Sequence, residues 1–245
     1  MLLSIIIPTY NERENIVVLL ESLLGLLISL DGDYEVIVVD DASPDCTAAI
    51  VLEFAKKIPA VQLIRRENKR DLSAALSDGF DSAKGKYLIA MDADLQHDPT
   101  AVMRMLALAE DDALGLVVAT RYADGGGTSN WHGARLWLSR TATRVAAWIL
   151  RTKISDPLSG YFLLRRDIWQ SIRATLQPSG FKLLLDIIAV SPQLQHAEIG
   201  YQFSARTRGD SKLGFIVVWK FFIVLLKLSH KNLCGKNLGS NNLCR

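Results

Sequence analysis

The sequence predicts an α/β fold built on a mostly parallel sheet covered on both faces. Three observations lead there. Short apolar, β-branched runs alternate with stretches of helical length through the first half of the chain. Those runs are apolar on both faces rather than alternating, as strands buried on both sides are. Polar and acidic clusters follow directly on several of the runs, where open α/β sheets bind ligands.

The elements follow in order. Residues 3–7 form the first strand, and 12–27 have the length and period of a helix with Asn11 placed to cap it. Residues 35–39 are a β-branched run ending in Asp40-Asp41, and 47–57 are helical up to the break before Pro59. A strand at 61–64, a helix at 73–84 and a strand at 87–91 ending in Asp92 come next. Pro99 opens a helix at 99–110, and 116–120 form a further strand. The second half is less regular. Residues 124–130 (DGGGTSN) read as a flexible loop, 133–152 as a helix, 156–160 as a turn, 161–165 as a strand and 180–190 as a helix. Residues 206–212 (RTRGDSK) are a basic loop, and the tail from 232 to 245 is rich in Asn, Gly and Leu and reads as disordered.

Composition excludes several classes. Of the 245 residues 49% are hydrophobic and 22% charged, enough for a sizeable core and too apolar for a disordered chain. The 28 basic and 26 acidic residues leave a net charge of +2, which argues against nucleic-acid binding by bulk electrostatics. Cys46, Cys234 and Cys244 form no CxxC pair, so a zinc site or disulfide scaffold is not expected and a reducing compartment is. Residues 1–10 lack the basic start of a signal peptide. No GxGxxG, P-loop or GxSxG pattern is present, so dinucleotide redox chemistry, P-loop hydrolysis and an α/β-hydrolase lose their usual signals. His97, His132, His196 and His230 lack metal-ligand spacing and read as surface or loop histidines.

The chemistry centres on Asp92 and Asp94 in YLIAMDADLQHD. A buried strand delivers two carboxylates one residue apart, and Gln96 adds an oxygen. Such hard oxygens bind Mg²⁺ or Mn²⁺, which then takes its remaining ligands from water and phosphate. The alternative is turn chemistry alone. Asp41 is placed to accept hydrogen bonds from a nucleotide base or ribose, with Asp45 capping the next helix. Arg121 follows a strand, and Arg135 and Ser139 are neighbours on one helical face. Together with Arg206 and Lys212 they offer separate cations for phosphate, against the reading as solvated charge.

Two stripes point to a membrane surface. Lys220, Lys227 and Lys231 fall within roughly 40° of each other at 100° per residue, on a run whose remaining circumference is mostly Phe, Ile, Val, Leu and Trp. Arg140, Arg144 and Arg151 form a similar stripe beside Trp137 and Trp148. The run 213–228 is too short, and too interrupted by lysine, for a comfortable membrane span. A core helix of a soluble domain is the alternative.

The ordered segments SIIIPTYNERENI, VIVVDDASPDCTAAI, YLIAMDADLQHDP, TRYADGGG, DPLSGYFLLRRDIW, GFKLLLDI and RTRGDSKLG resemble the family-2 glycosyltransferases, most of all the polyprenyl-phosphate mannose synthases. The resemblance runs over residues 2–228. It implies a GT-A fold over 1–212, with 213–245 as interface helix and tail, and inverting transfer of a hexose, foremost mannose from GDP-mannose, to a polyprenyl or dolichyl monophosphate. It places Pro8, Tyr10, Glu12 and Asp41 at the donor nucleotide, with Asp92, Asp94 and Gln96 on the divalent cation. Arg121, Arg135, Ser139, Arg206 and Lys212 fall at the diphosphate or lipid phosphate. Asp92, Asp94 and Arg121 are then the catalytic group. No base is assigned, because a phosphate is already a nucleophile; Asp186 lies where a relative with a soluble acceptor keeps one. The implied location is the cytoplasmic membrane face, peripheral or monotopic, with room for a separate transmembrane partner. Relatives often continue into transmembrane helices, whereas this chain stops soon after its apolar run. The chain departs from the family at Asp71-Leu72-Ser73, where relatives often carry Gly-Leu-Gly on the nucleotide side. A UDP-sugar donor, a soluble or lipid-diphosphate acceptor, a sugar nucleotidyltransferase and a non-enzymatic membrane-associated relative are the competing readings.

Overall fold

In the computed structural model, which describes residues 1–67, 70–110, 113–128, 133–176 and 182–204, strand β1 (Leu3–Thr9) lies near the middle of the main sheet. The chain runs β1, α1 (Arg13–Leu27), β2 (Tyr34–Asp40), α2 (Thr47–Lys57), β3 (Val61–Arg65), α3 (Leu72–Ser82), β4 (Tyr87–Ala90), α4 (Ala101–Ala109) and β5 (Leu116–Thr120). It continues through β6 (Gly127–Thr128), α5 (Gly133–Leu150), β7 (Phe162–Arg165), α6 (Arg166–Ile172), α7 (Leu183–Val190), β8 (His196–Gly200) and β9 (Gln202–Phe203).

Seven strands form one sheet in the order β3-β2-β1-β4-β7-β5-β8, and β6 pairs with β9 in a separate ribbon. All neighbours in the large sheet are parallel except β7, which runs antiparallel between β4 and β5. The expected α/β class and mostly parallel sheet are therefore present. β1, β2, β4 and β5 point the same way, so their carboxyl ends share one edge.

Both sheet faces are packed. Leu3, Ile5 and Ile7 face one core with Ile16, Leu19, Leu20 and Leu23 of α1, which recur at helical spacing. Ile6, Ile37 and Val39 face the other core with Ala75, Leu76 and Phe80 of α3. Helix α3 approaches β1 closely at Gly79, where a Cβ would stand 2.4 Å from Ile6 Cγ2.

The sheet opens beside β1. β4 pairs with β1 only as far as Ile6↔Ala90, whereas β1 stays on β2 through Thr9↔Asp40. Pro8, lacking an N–H, sits in the stretch that β4 has already left. The order reverses here, from β2 and β3 on one side to β4 on the other, which is where open α/β sheets form their crevice.

Several sequence expectations change. Asn11 does not cap α1: it adopts φ 56°, and the N-cap position is Glu12, whose side chain makes no capping bond. The strand expected at 87–91 ends at Ala90, and the helix expected from 73 starts at Leu72 because the Asp71 carboxylate accepts from Ala74 N at 3.0 Å. The glycine loop carries the short strand β6. Helix α6 and strands β8 and β9 add to the expected elements. The boundary expected at residue 212 and everything after Ser204 lie outside the described residues.

Candidate active site at the sheet switch point

The site grows from the strand ends. Thr9 of β1 faces Asp40 of β2 by register, and its Oγ1 donates to Asp40 Oδ1 at 3.0 Å. Ser43 N donates to the other Asp40 oxygen at 2.9 Å, so fully buried Asp40 is the anchor of its own turn. Asp45 is structural in the same sense. Its oxygens accept from Thr47 N at the start of α2 and from Arg13 N at the start of α1, tying the first two strand ends together. Those bonds outweigh partial burial and hold the Asp45 carboxyl below its usual range.

Asp41 points away from that turn. It is buried, pairs with Arg66, and accepts from Asp71 N at 3.0 Å. Arg66 also reaches Asp78 at 2.7 Å, and the Arg70 guanidinium lies 4.0 Å from the Tyr10 ring centroid. Asp41 and Tyr10 therefore share one end of the edge with three residues that the sequence reading did not assign: Arg66, Arg70 and Asp71. Glu12 accepts from Asn15 Nδ2 at 2.8 Å, and its backbone N–H donates to Thr47 Oγ1.

At the other end, β4 delivers Asp92 and Asp94. Asp94 is 8% exposed and accepts from Gln96 N, whereas the Asp92 side chain is 39% exposed. Gln96 Nε2 donates to Ser204 O at 2.9 Å. Leu95 between them has φ 59°. With Asn11, Ala42 and Cys46 it makes four left-handed non-glycine residues on the loops after β1, β2 and β4, a backbone cost often found at functional sites. Among the described residues no three His, Cys, Asp or Glu gather into a metal cage. Two carboxylates and an amide suit a hard cation that draws its other ligands from water and phosphate, so this donor set fits Mg²⁺ or Mn²⁺.

His97 lies in a loop, one of the two places the sequence reading gave it, but not at the surface. It is buried under the acidic turn, and its Nδ1 accepts from Asp92 N at 3.1 Å. Its ring stacks on Tyr161 at 4.7 Å, with Tyr201 and Phe203 edge-on. Burial pushes the His97 pKa down despite the pull of Asp92 and Asp94, so the ring is a neutral support. Tyr161 OH donates to Asp98 O at 2.9 Å, and burial raises both tyrosines above their usual range.

Arg121, just past β5, makes a two-pronged contact with Asp156 at 2.9 and 3.1 Å. Asp156 is fully buried and held in place by its neighbours. Ser155 donates to Glu198 of β8 and contacts Thr120 of β5, and Ser159 Oγ donates to Ala119 O at 2.7 Å. Burial works against the Arg121 charge, but Asp156 more than offsets it and the guanidinium sits above its ordinary range.

Lys182 is a further residue the sequence reading missed. It precedes α7, yet its Nζ donates to Leu158 O at 2.5 Å in the turn that carries Asp156. Burial depresses its pKa, and Asp92, Arg121 and Asp156 all act on its charge. The quoted segment GFKLLLDI contains it, but only the fold carries it across to Asp92. Gly160 closes the same turn, with a Cβ position 3.1 Å from Asp92 Oδ2. Asp186 lies on α7, partly buried. Arg135 and Ser139 fall on the first half of α5, while Arg206 and Lys212 lie outside the described residues.

Comparison with known proteins places the chain in a family and a fold. Residues 4–173 match the model of glycosyl transferase family 2. A dolichol-phosphate mannosyltransferase of Pyrococcus furiosus is 36% identical over 93% of this chain, which spans 64% of that relative, under two thirds of its length. A protein of the same name from Saccharomyces cerevisiae is 36% identical over 98% of this chain and 90% of its own. The polyprenol monophosphomannose synthase of Mycolicibacterium smegmatis is 34% identical over 85% and 80%. In fold, the chain is similar to glucosyl-3-phosphoglycerate synthase of Mycobacterium tuberculosis, crystallised with Mn²⁺, UDP-glucose and phosphoglyceric acid. The TM-score is 0.69 at 18% identity, covering 94% of this chain and 80% of that one. With an α/β fold whose strand-end carboxylates and cations meet at the switch point of the sheet, the chain belongs to glycosyl transferase family 2.

Proposed function

We propose that the chain moves mannose from GDP-mannose to the phosphate of a polyprenyl monophosphate at the cytoplasmic face of a membrane. One observation carries the reading: Asp92 and Asp94 stand at the switch point beside the Arg121–Asp156 pair and Lys182. That site opposes carboxylates for a metal-held diphosphate to cations for phosphate. The names of the relatives from Pyrococcus, yeast and Mycolicibacterium support the sugar and the lipid acceptor.

An oxygen of the acceptor phosphate forms the new bond to the anomeric carbon. The bond from that carbon to the donor diphosphate breaks, and its electron pair leaves with the nucleoside diphosphate. Attack from the opposite face inverts the centre. The acceptor needs no strong base, so catalysis rests on positioning and charge. Asp92, Asp94 and Gln96 would hold Mg²⁺ or Mn²⁺, which when bound would neutralise charge on the diphosphate. Arg121, kept charged by Asp156, and Lys182 face the phosphates. Pro8, Tyr10, Glu12 and Asp41 hold the nucleotide, and Arg135, Ser139, Arg206 and Lys212 hold the lipid phosphate. Residues 213–228 lie in the bilayer interface, beside a separate transmembrane partner where one is present. No described helix is long and apolar enough to cross a membrane.

A UDP-sugar donor is the second reading, raised by Asp71, where the chain departs from Gly-Leu-Gly. Its backbone N–H donates to Asp41 and its carboxylate caps α3. The test is a panel of radiolabelled GDP- and UDP-sugars with a polyprenyl phosphate, read as label extracted into organic solvent. Label from GDP-mannose alone supports the first reading. Label from a UDP-sugar alone moves the donor, and label from none overturns both.

A further inference from the structure

Asp92 and Asp94 reach the site unequally held. Asp94 is buried and accepts from Gln96 N at 3.2 Å, whereas the Asp92 side chain is 39% exposed. An exposed carboxylate samples several rotamers, and a cation ligand must keep one. Two neighbours restrict Asp92. On one side the turn doubles back through Leu95, at φ 59°, and brings the His97 ring to the Asp92 peptide. Because Nδ1 accepts from Asp92 N at 3.1 Å, a ring proton sits on Nε2, which lies 3.8 Å from Asp92 Oδ2. That separation is too long for a hydrogen bond, so the main-chain N–H donated to Nδ1 is what ties the ring to Asp92.

The second neighbour is Gly160. A Cβ built there would meet Asp92 Oδ2 at 3.1 Å and Asp92 Cγ and Oδ1 at 3.6 Å, so the glycine lies broadside to the carboxylate. Its φ is outside the left-handed region, so the room taken by Asp92, rather than backbone freedom, is what favours glycine here. The two supports have one origin. Tyr161, the next residue, stacks on the His97 ring at 4.7 Å, and its hydroxyl donates to Asp98 O at 2.9 Å. The segment 156–161 therefore backs His97 and flanks Asp92, while its Asp156 holds Arg121.

We propose that His97 and Gly160 are positioning residues for the divalent cation: together they hold the Asp92 carboxylate in the orientation that lets it join Asp94 in binding Mg²⁺ or Mn²⁺. The inference rests on the reading of Asp92 and Asp94 as cation ligands and deepens it. Both residues act through Asp92. Loss of the His97 acceptor frees the peptide from which the Asp92 side chain springs. A methyl at position 160 displaces the carboxylate itself, because 3.1 Å is closer than a Cβ and an oxygen ordinarily approach. Outer partners of a metal ligand are worth about ten- to a hundredfold in metal affinity.

The test is equilibrium dialysis of labelled GDP, with UDP in parallel, against the full chain in Mn²⁺ and in EDTA. Mn²⁺ should tighten nucleotide binding by the parent. His97→Phe keeps a ring against Tyr161 but loses the acceptor, and Gly160→Ala adds one methyl beside Asp92. Each should lose the Mn²⁺-dependent part of the affinity, about ten- to a hundredfold, and nothing in EDTA. His97→Asn puts an oxygen where Nδ1 stood and loses the ring. Its thermal midpoint should fall below that of His97→Phe while its affinity in Mn²⁺ stays above, an inversion that a purely structural role does not produce. Gly160→Ala reaches Asp92 from the other side and decides the matter should a His97 variant fail to fold. If His97→Phe and Gly160→Ala keep the parent's response to Mn²⁺, the proposal is overturned and the metal reading stands. If only one keeps it, that residue is no positioning residue. If affinity falls equally in EDTA, the two residues shape the whole pocket and the proposal is wrong. If Mn²⁺ tightens neither nucleotide on the parent, the metal reading fails and the proposal with it.

Discussion

Removing the Asp156 carboxylate tests how the site keeps its central cation. Asp156 is fully buried and holds Arg121 through two bonds of 2.9 and 3.1 Å, while the Arg121 side chain is 12% exposed. Asp156→Ala leaves a guanidinium with little water and no counter-charge. Breaking a buried pair from one side costs about 3–5 kcal/mol. Asp156→Asn keeps the volume and one accepting oxygen but loses a charge-assisted bond, at about 1.5–3 kcal/mol. Urea unfolding of the two variants should therefore rank Ala below Asn below parent, with no change in slope. Transfer should fall in both, since a guanidinium no longer held flat against Asp156 stops presenting one geometry to phosphate. An Asp156→Ala protein within about 0.5 kcal/mol of the parent, with full transfer, would show that the pair neither stabilises the fold nor orients Arg121.

Other perturbations separate stability from chemistry. Gly79→Ala forces a methyl to 2.4 Å from Ile6 Cγ2, so it should cost about 1–3 kcal/mol in urea unfolding despite the better helix propensity of Ala; a neutral or stabilising result would mean α3 sits off β1. Asp45→Ala removes the carboxylate bonded to Arg13 N and Thr47 N and should cost about 1 kcal/mol near neutral pH. The Asp45 pKa is lowered by folding, so this contribution is present above the unfolded value of 3.8 and disappears as pH falls through the folded value. The parent and variant should thus converge in acid, and a constant gap would count against the carboxylate. Lys182→Met should lower transfer by about ten- to a hundredfold, one charge-assisted phosphate contact, while stability holds or rises because a buried ammonium is gone. Loss of stability with normal transfer would make Lys182 a strut for the 156–160 turn.

Much of the fold was legible because its signals are local. The runs at β1, β2, β4 and β5 are mostly apolar, a polar residue closes each or follows within two positions, and helices of the right length separate them. Asp92 and Asp94 were legible for the same reason, two carboxylates at the end of a buried strand. What was missed depends on distance in sequence. Nothing in Phe162–Arg165 announces that this strand inserts antiparallel between β4 and β5, because direction is set by the connections around it. Nothing local shows that His97 is buried: Tyr161, Tyr201 and Phe203, all remote in sequence, close over it. Lys182 joins the site only through Leu158 O in the turn that carries Asp156. Asn11 has the chemistry of a cap, but its φ of 56° places it in the loop that lets β1 turn into α1.

The central claim is that Asp92 and Asp94 hold a divalent cation for hexose transfer to a polyprenyl phosphate. The direct measurement is transfer of label from GDP-mannose to polyprenyl phosphate by the parent and by Asp94→Asn, each with Mn²⁺ and with EDTA. The account predicts labelled lipid from the parent with Mn²⁺, loss of at least about a hundredfold with EDTA, and the same loss in a folded Asp94→Asn protein at any metal concentration. Equal transfer by Asp94→Asn, or transfer untouched by EDTA, would contradict it.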